Sequence, residues 1–391
     1  MPTTHESCFA VTAPGLAKLC AGELTALGIR ATGVDDAGVA FKADATTLLR
    51  ANLWLRTASR VLVRLAEFHA ETFHELERRA KRVPWERVVD GTRAVRLRVT
   101  CKKSKLIHSG AVAQRIGDAI TKATGARIVR GAAADDQDDA TDSDAAQLIV
   151  VRFDRDACTI SADSSGELLH RRGYRQATAK APMRETLAAA VLVAAGWRGD
   201  TPLVDPMCGA GTIPIEGALL ARGIAPGLGR EFACERWPGV DATRTARVRD
   251  DARGKARPRA TVEILGSDRD AGAIAAAIAN AARAGVTADI EFEQRPISAF
   301  VVPLGPAGLI AVNPPYGVRV GDSDALRNLY AQFGKVARVR APGWTLALLS
   351  ADRRLEAQLQ VPLVERARTN NGGIPVRILT ADLATTGPAR T

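Results

Sequence analysis

Leu309-Ile310-Ala311-Val312-Asn313-Pro314-Pro315-Tyr316 runs four apolar residues into a polar tetrapeptide stiffened by two prolines. The apolar part is too short for a helix and too apolar for an exposed loop, so it reads as a buried strand. Asn313 to Tyr316 then form a loop at the strand's carboxyl end, where ligands bind in an open α/β sheet. The exocyclic amine of a nucleobase is a poor nucleophile because its lone pair is delocalised into the ring. Two fixed acceptors can hold its hydrogens and turn the lone pair toward an electrophile, and the Asn313 side-chain oxygen and the Pro314 carbonyl offer such a pair. The prolines limit loop motion, and Tyr316 offers a face for stacking an extruded base, a contact worth about 1–3 kcal/mol. A proline-rich turn leaving a strand is the plainer alternative. The surrounding chain distinguishes the two.

Upstream, Pro202-Leu203-Val204-Asp205 reads as another buried strand, followed by Pro206-Met207-Cys208-Gly209-Ala210-Gly211-Thr212 and a helix from Ile213 to Arg222. Glycines at such a turn allow close approach to the backbone. The third glycine and the following acidic residue of a dinucleotide site are missing, and no Gly-Lys-Ser/Thr makes a Walker loop. The strand Val262 to Gly266 ends at Ser267-Asp268, where the Asp268 carboxylate is placed to accept from ribose hydroxyls. The Arg- and Pro-rich stretch 223–260 reads as an insertion on the same face. Asp270 caps a helix from Ala271 to Ala284, and a third strand spans Asp289 to Phe292. This alternation predicts a doubly wound α/β sheet. In this order the parts resemble the class I S-adenosylmethionine-dependent methyltransferases that act on amino groups.

The first half lacks that pattern. Short elements succeed one another: a strand at Phe9 to Thr12, a helix ending near Gly28, strands around Gly33 to Phe41, and a helix from Asp44 to about Arg56. A strand at Arg60 to Phe68 and a helix from Thr72 to Arg82 follow, giving an α+β region. Val95 to Thr100 alternates apolar and basic residues. It leads into Lys102, Lys103 and Lys105 before a helix from Ala111 to Thr124, an arrangement open both to phosphate contact and to a solvated turn. Asp135 to Asp144 is acidic and nearly devoid of apolar residues, so it reads as a disordered surface insertion between strands. Leu148 to Phe153 and Ala157 to Ala162 read as paired strands. A basic connector, His170-Arg171-Arg172-Gly173-Tyr174-Arg175, precedes a helix that Pro182 opens and Gly196 stops.

Composition narrows the class. The 391 residues suffice for two or three domains, and the net charge of +11 favours a polyanionic partner. No run reaches the ~18 apolar residues of a membrane span, and the first residues lack a signal peptide's pattern, so a cytoplasmic protein is expected. Six scattered cysteines point neither to a disulfide framework nor to a zinc site, and no metal is expected.

Ala13 to Leu16, Ser104 to Ser109, His170 to Arg175, Ala181 to Leu187, Asp205 to Thr212, Ile215 to Ala218 and Asn313 to Gly317 together resemble the THUMP-domain RNA guanine-N2 methyltransferases, whose close relatives act on 23S ribosomal RNA. The resemblance covers nearly the whole chain. It implies a ferredoxin-like part over 1–44, a THUMP RNA-binding domain over 45–164, and a Rossmann-like seven-stranded methyltransferase domain over 165–391. By the same resemblance Asp205, Gly209, Gly211 and Thr212 line the methionine end of S-adenosylmethionine, with Asp268 at its ribose. Asn313, Pro314, Pro315 and Tyr316 hold the target. Lys102, Lys103, Lys105, Arg171, Arg172, Arg175 and Arg319 are candidate RNA contacts. The implied enzyme is a monomer that methylates the N2 of a guanosine in structured RNA. Ribosomal RNA is favoured as substrate, transfer RNA is the rival, and an N6-adenine methyltransferase or a decayed RNA-binding protein are further alternatives. One departure stands out: Pro296 occupies the position where such enzymes carry an aspartate for the adenine amino group.

Overall fold

Short half-buried strands in the first half and continuous apolar strands in the second build two separate sheets in the computed structural model, which describes residues 5–129, 146–176, 183–316 and 323–384. The first sheet holds β1 (Glu6–Thr12), β2 (Ala31–Asp35), β3 (Gly38–Ala43), β4 (Ala58–His69), β5 (Val95–Lys102), β6 (Ile128–Val129), β7 (Gln147–Asp154) and β8 (Ala157–Asp163) in the order β2-β3-β1-β4-β8-β7-β5-β6. Helices α1 (Ala17–Ala26), α2 (Ala45–Trp54), α3 (Phe73–Ala80) and α4 (Ser109–Thr124) connect them. Asp44 caps α2 by accepting from the Thr47 N–H at 2.7 Å, and Thr72 with Glu75 forms a capping box on α3. The long β4 is shared: its first residues pair with β1 and its later ones with β8, across an irregularity between Arg64 and Ala66. The acidic stretch Asp135 to Asp144 lies outside the described residues.

The second sheet holds β9 (Leu203–Asp205), β10 (Ile264–Asp268), β11 (Glu291–Gln294), β12 (Leu309–Val312), β13 (Thr345–Ser350), β14 (Val364–Asn371) and β15 (Ile374–Asp382), ordered β11-β10-β9-β12-β13-β15-β14. The first five are parallel, and β15 runs antiparallel to both its neighbours. The same half carries α5 (Glu185–Ala194), α6 (Thr212–Ala221), α7 (Ala242–Gly254), α8 (Ala271–Arg283), α9 (Ser323–Arg340) and α10 (Arg353–Gln358). The described part of the α5 region begins at Met183, so Pro182 is outside it. Strand order reverses between β9 and β12, which opens a crevice at their carboxyl ends.

The joint between the halves departs from the sequence reading. Residues 223–260 do not sit over the cofactor face; they carry α7, which packs on α2. Ala225, Phe232, Cys234, Val248 and Ala252 enter the same core as Leu48 and Leu49. Arg230 donates to the carbonyls of Leu168 at 2.7 Å and Glu167 at 2.7 Å, and Trp237 Nε1 donates to Gln147 Oε1 at 2.8 Å. Arg172, expected to face RNA, is 6% exposed. It donates to the carbonyls of Leu169 at 2.5 Å and Arg56 at 2.7 Å, and its Nε stands 3.5 Å from Glu216 Oε1 on α6. The Tyr174 hydroxyl donates to the same oxygen at 3.1 Å, and Arg56 reaches the Ile224 carbonyl at 2.7 Å. A carboxylate buried on an apolar helix needs cationic partners, and these two arginines supply them.

Arg175, also expected at RNA, instead pairs with Glu185 at 3.2 Å and donates to the Met183 carbonyl at 3.0 Å. Burial nevertheless wins at Glu185: it lifts the carboxyl from 4.5 to about 7, with Arg175 pulling the other way. The native state therefore keeps a proton that the unfolded chain has lost. Stability from this group is full below pH 4.5 and is lost as pH rises through about 7. Glu185→Gln is expected to flatten the fall in unfolding midpoint across that window; an unchanged slope would assign the fall elsewhere.

Candidate active site

The parallel pairing of Leu309 with Leu203 and Ile310 with Val204 brings Asn313 and Asp205 to opposite lips of the crevice. Gly266 pairs with Asp205 on the other side of β9, which sets Asp268 beside the glycine loop. The Gly209 N–H donates to Asp268 Oδ2 at 3.0 Å, and the Asp270 N–H to Oδ1 at 3.0 Å. Each carboxylate oxygen has further lone-pair capacity.

The two loop glycines serve different ends. Both have positive φ, +52° at Gly209 and +81° at Gly211. A Cβ at Gly209 would meet nothing within 4 Å, so that side of the loop is open to a ligand. At Gly211 a Cβ would come within 2.9 Å of Ala277 Cβ and 3.1 Å of Phe292, so this glycine answers to the packing of α8 and β11. Thr212 starts α6 and is buried. Asn280, which sequence reasoning missed, is fully buried on α8 and donates to the Ala210 carbonyl at 3.0 Å, tying down the loop. The signal was a polar residue on the inward face of an Ala-rich helix. Asn280→Ala is expected to weaken S-adenosylmethionine binding about tenfold by freeing that loop; titration calorimetry would check it, and unchanged affinity would remove the role.

Asp205 is 2% exposed and, among the described residues, accepts only the Met207 N–H, at 3.1 Å. Burial pushes its carboxyl well above the usual range, and the neighbouring Asp268 adds to the rise. Neither carboxyl meets a basic side chain among the described residues, so Asp268 brings the negative charge while burial holds Asp205 toward its neutral form, which a bound cation would reverse. A sulfonium-bearing cofactor fits that donor set.

Across the crevice Asn313 Oδ1 is buried and finds no hydrogen-bond partner among the described residues. Native structures rarely leave such an acceptor unmet, and a binding site is one place where they do. Pro314 is buried and Pro315 exposed. The Tyr330 hydroxyl reaches the Pro315 carbonyl at 3.4 Å, and Asn371 Nδ2 donates to the Tyr316 hydroxyl at 2.6 Å. Both partners lie in chain beyond the motif and escaped the sequence reading. Tyr316 is partly buried, which pushes its phenol up.

Among the basic candidates, Lys102 ends β5 and Lys103 follows it, both exposed. Lys105 is exposed too but pairs with Glu71, while its N–H donates to Asp156 at 2.6 Å. Glu71, Asp156 and His69 cluster closely enough to suit a cation, and the Lys105 ammonium pairs with Glu71 of that group. Arg171 is partly exposed, 3.4 Å from Glu167. Arg319 lies outside the described residues.

A family model described as the RMKL-like methyltransferase domain matches residues 172–379. The chain belongs to the RMKL-like methyltransferases. Models of the RlmL ferredoxin-like domain and the THUMP domain match residues 7–62 and 70–163. The RMKL-like chain is 34% identical over 382 residues to slr0064 of Synechocystis sp., named as an RNA methyltransferase, covering 97% of each. It is 37% identical to the ribosomal RNA large subunit methyltransferase K/L of Syntrophotalea carbinolica, covering 96% of this chain and 53% of that one. It thus spans about half the length of the K/L relative. Among solved structures, SMU.472, described as a methyltransferase complexed with SAH, superposes with a TM-score of 0.84 at 28% identity, covering 98% of this chain and 99% of that one. The expected family, the α/β methyltransferase fold and the THUMP and ferredoxin-like parts before it are all present. No helix among the described residues is long and apolar enough to cross a membrane.

Proposed function

We propose that this RMKL-like chain transfers a methyl group from S-adenosylmethionine to the exocyclic N2 of a guanosine in structured RNA, with ribosomal RNA the favoured substrate. The observation that carries the reading is the buried Asn313 Oδ1, unpartnered among the described residues, at the carboxyl end of β12, the strand paired with the one that ends at Asp205. When bound, the cofactor supplies a sulfonium-activated methyl group, an electrophile that needs alignment more than activation.

In this reading Asp268 holds the ribose hydroxyls, Gly209 and Gly211 shape the loop beneath the methionine end, and buried Asp205 takes on its charged form only as a bound cation offsets its burial. Asn313 Oδ1 and the Pro314 carbonyl accept the two amine hydrogens, which turns the nitrogen lone pair toward the methyl group. Tyr316 stacks on the base, its hydroxyl tethered by Asn371. Pro296 follows β11 and brings neither a carboxylate nor an N–H, so recognition of the adenine falls to backbone groups of that turn. Lys102 and Lys103 contact phosphate. The names of the K/L relatives support ribosomal RNA as the substrate, and the THUMP match supports an RNA partner.

The test is to incubate the protein with S-adenosylmethionine and unmodified ribosomal or transfer RNA, then identify methylated nucleosides by mass spectrometry. N2-methylguanosine from ribosomal RNA is expected. From transfer RNA alone it would change the substrate, and N6-methyladenosine would replace the guanine assignment.

A further inference from the structure

Beside the Asn-Pro-Pro-Tyr loop, at the same end of the sheet, lies a cleft of about 530 Å³. Its lining includes Pro14, Arg353, Arg368, Thr369, Asn370 and Arg377, and no carboxylate. Its position follows from topology. β13 is parallel to β12, so the segment after Ser350 emerges next to Asn313, and the β14–β15 hairpin turns back at the same level, with Arg377 paired to Ser350. The far wall comes from the N-terminal half. There Gly15, with φ of +78°, presses so closely on β14 that a Cβ would fall 1.9 Å from the Arg368 carbonyl. Both halves of the protein therefore line one cleft.

Two features mark it as built for an anion. Thr369 is only 5% exposed, yet its hydroxyl meets no hydrogen-bond partner among the described residues. Arg368 pairs with Glu365, and Arg377 with Glu356 at 2.6 Å and Glu365 at 3.8 Å, whereas exposed Arg353 feels the Glu365 charge but makes no hydrogen bond or ion pair among the described residues. One guanidinium thus remains to meet a ligand. The cleft is also coupled to the site. Thr369 and Asn371 are two apart on β14, so their side chains share a face roughly 7 Å apart along the strand, and Asn371 holds the Tyr316 hydroxyl.

We propose that this cleft binds a backbone phosphate of the RNA next to the target nucleotide, with Arg353 and the Thr369 hydroxyl as its ligands, and so sets the target in register with Tyr316. The proposal rests on the reading of the chain as an RNA methyltransferase and adds to it the contact that places the flanking chain. A phosphate fits because its oxygens accept from both a guanidinium and a hydroxyl.

The test uses the full chain and two variants that leave the Asn-Pro-Pro-Tyr loop and the cofactor loop untouched. Arg353→Gln changes an exposed residue, and Thr369→Val exchanges a hydroxyl for a methyl of the same size. Affinity for transcribed ribosomal and transfer RNA is measured without turnover from roughly 50 to 200 mM salt. Arg353→Gln is expected to weaken RNA binding about five- to tenfold and to lower the salt slope by about one. Thr369→Val should weaken binding about threefold, a hydrogen bond's worth, at unchanged slope. Cofactor affinity and unfolding midpoint should stay as in the parent. RNA affinity and slope unchanged in Arg353→Gln would overturn the proposal, as would losses matched by a fall in cofactor affinity. A parent that binds RNA but makes no N2-methylguanosine would sink the guanine assignment alone, and normal product with an unaltered Arg353→Gln slope would sink the cleft alone.

Discussion

Replacing Asn313 by alanine is expected to lower kcat by about 10²–10³, with the dissociation constant of S-adenosylmethionine little changed. Removing one preorganised transition-state partner costs about that much elsewhere. The amine is only weakly nucleophilic in the ground state, so the acceptors contribute most as its nitrogen becomes tetrahedral and positive and its hydrogens grow more acidic. The interaction then falls on kcat and on kcat/KM together. Oδ1 is already buried and unpartnered among the described residues, so alanine removes no bond that this oxygen makes there and is expected to leave the unfolding midpoint unchanged. Single-turnover kinetics with saturating RNA would read the loss directly. Equal losses in kcat and in cofactor affinity would move Asn313 from the amine to the cofactor.

The second large effect belongs to the joint. Glu216→Ala is expected to destabilise the chain by about 3–5 kcal/mol, the cost of stranding a buried charge. The Glu216 side chain is fully buried, Arg172 lies 3.5 Å away at 2% side-chain exposure, and Arg56 is 5% exposed. With the carboxylate gone, two guanidinium groups remain in a site that neither can leave. Burial already pushes Arg56 below its ordinary value, with Glu216 opposing. Adding Arg172→Met should recover part of the loss, because the pair is coupled and an apolar side chain carries no such penalty. Denaturant unfolding of the single and double variants would measure this. A Glu216→Ala variant as stable as the parent would mean the cluster contributes nothing to holding the halves together.

How far the sequence spoke depended on which neighbours each residue answers to. Strands such as Leu309–Val312 and Leu203–Asp205 are covered on both faces, so apolar runs betray them. Asp270 caps α8 through bonds to Gly272 and Ala273 only two and three residues away, and was legible for that reason. Arg172 was misread because a basic connector looks solvated, while its partner stands 44 residues later on α6. The clue was on the other side: Glu216 is the one charged residue in Thr212–Ala221 and required a buried partner. The stretch 223–260 misled for a similar reason, since few of its residues touch the N-terminal half and its many arginines mask them. Asn371 was overlooked although Asn370-Asn371-Gly372-Gly373 carries the composition of a hairpin turn.

The shared core of α2 and α7 has a consequence for synthesis on the ribosome. α2 spans Ala45–Trp54, yet the side chains that cover it arrive with Ala225 to Ala252, roughly 200 residues later. At ~5–20 residues per second the delay is roughly 10–40 s. During that interval the nascent N-terminal half exposes an apolar helix face, so it must be shielded by chaperones or fold provisionally. Nascent chains arrested before and after residue 252 should therefore differ sharply in protease resistance.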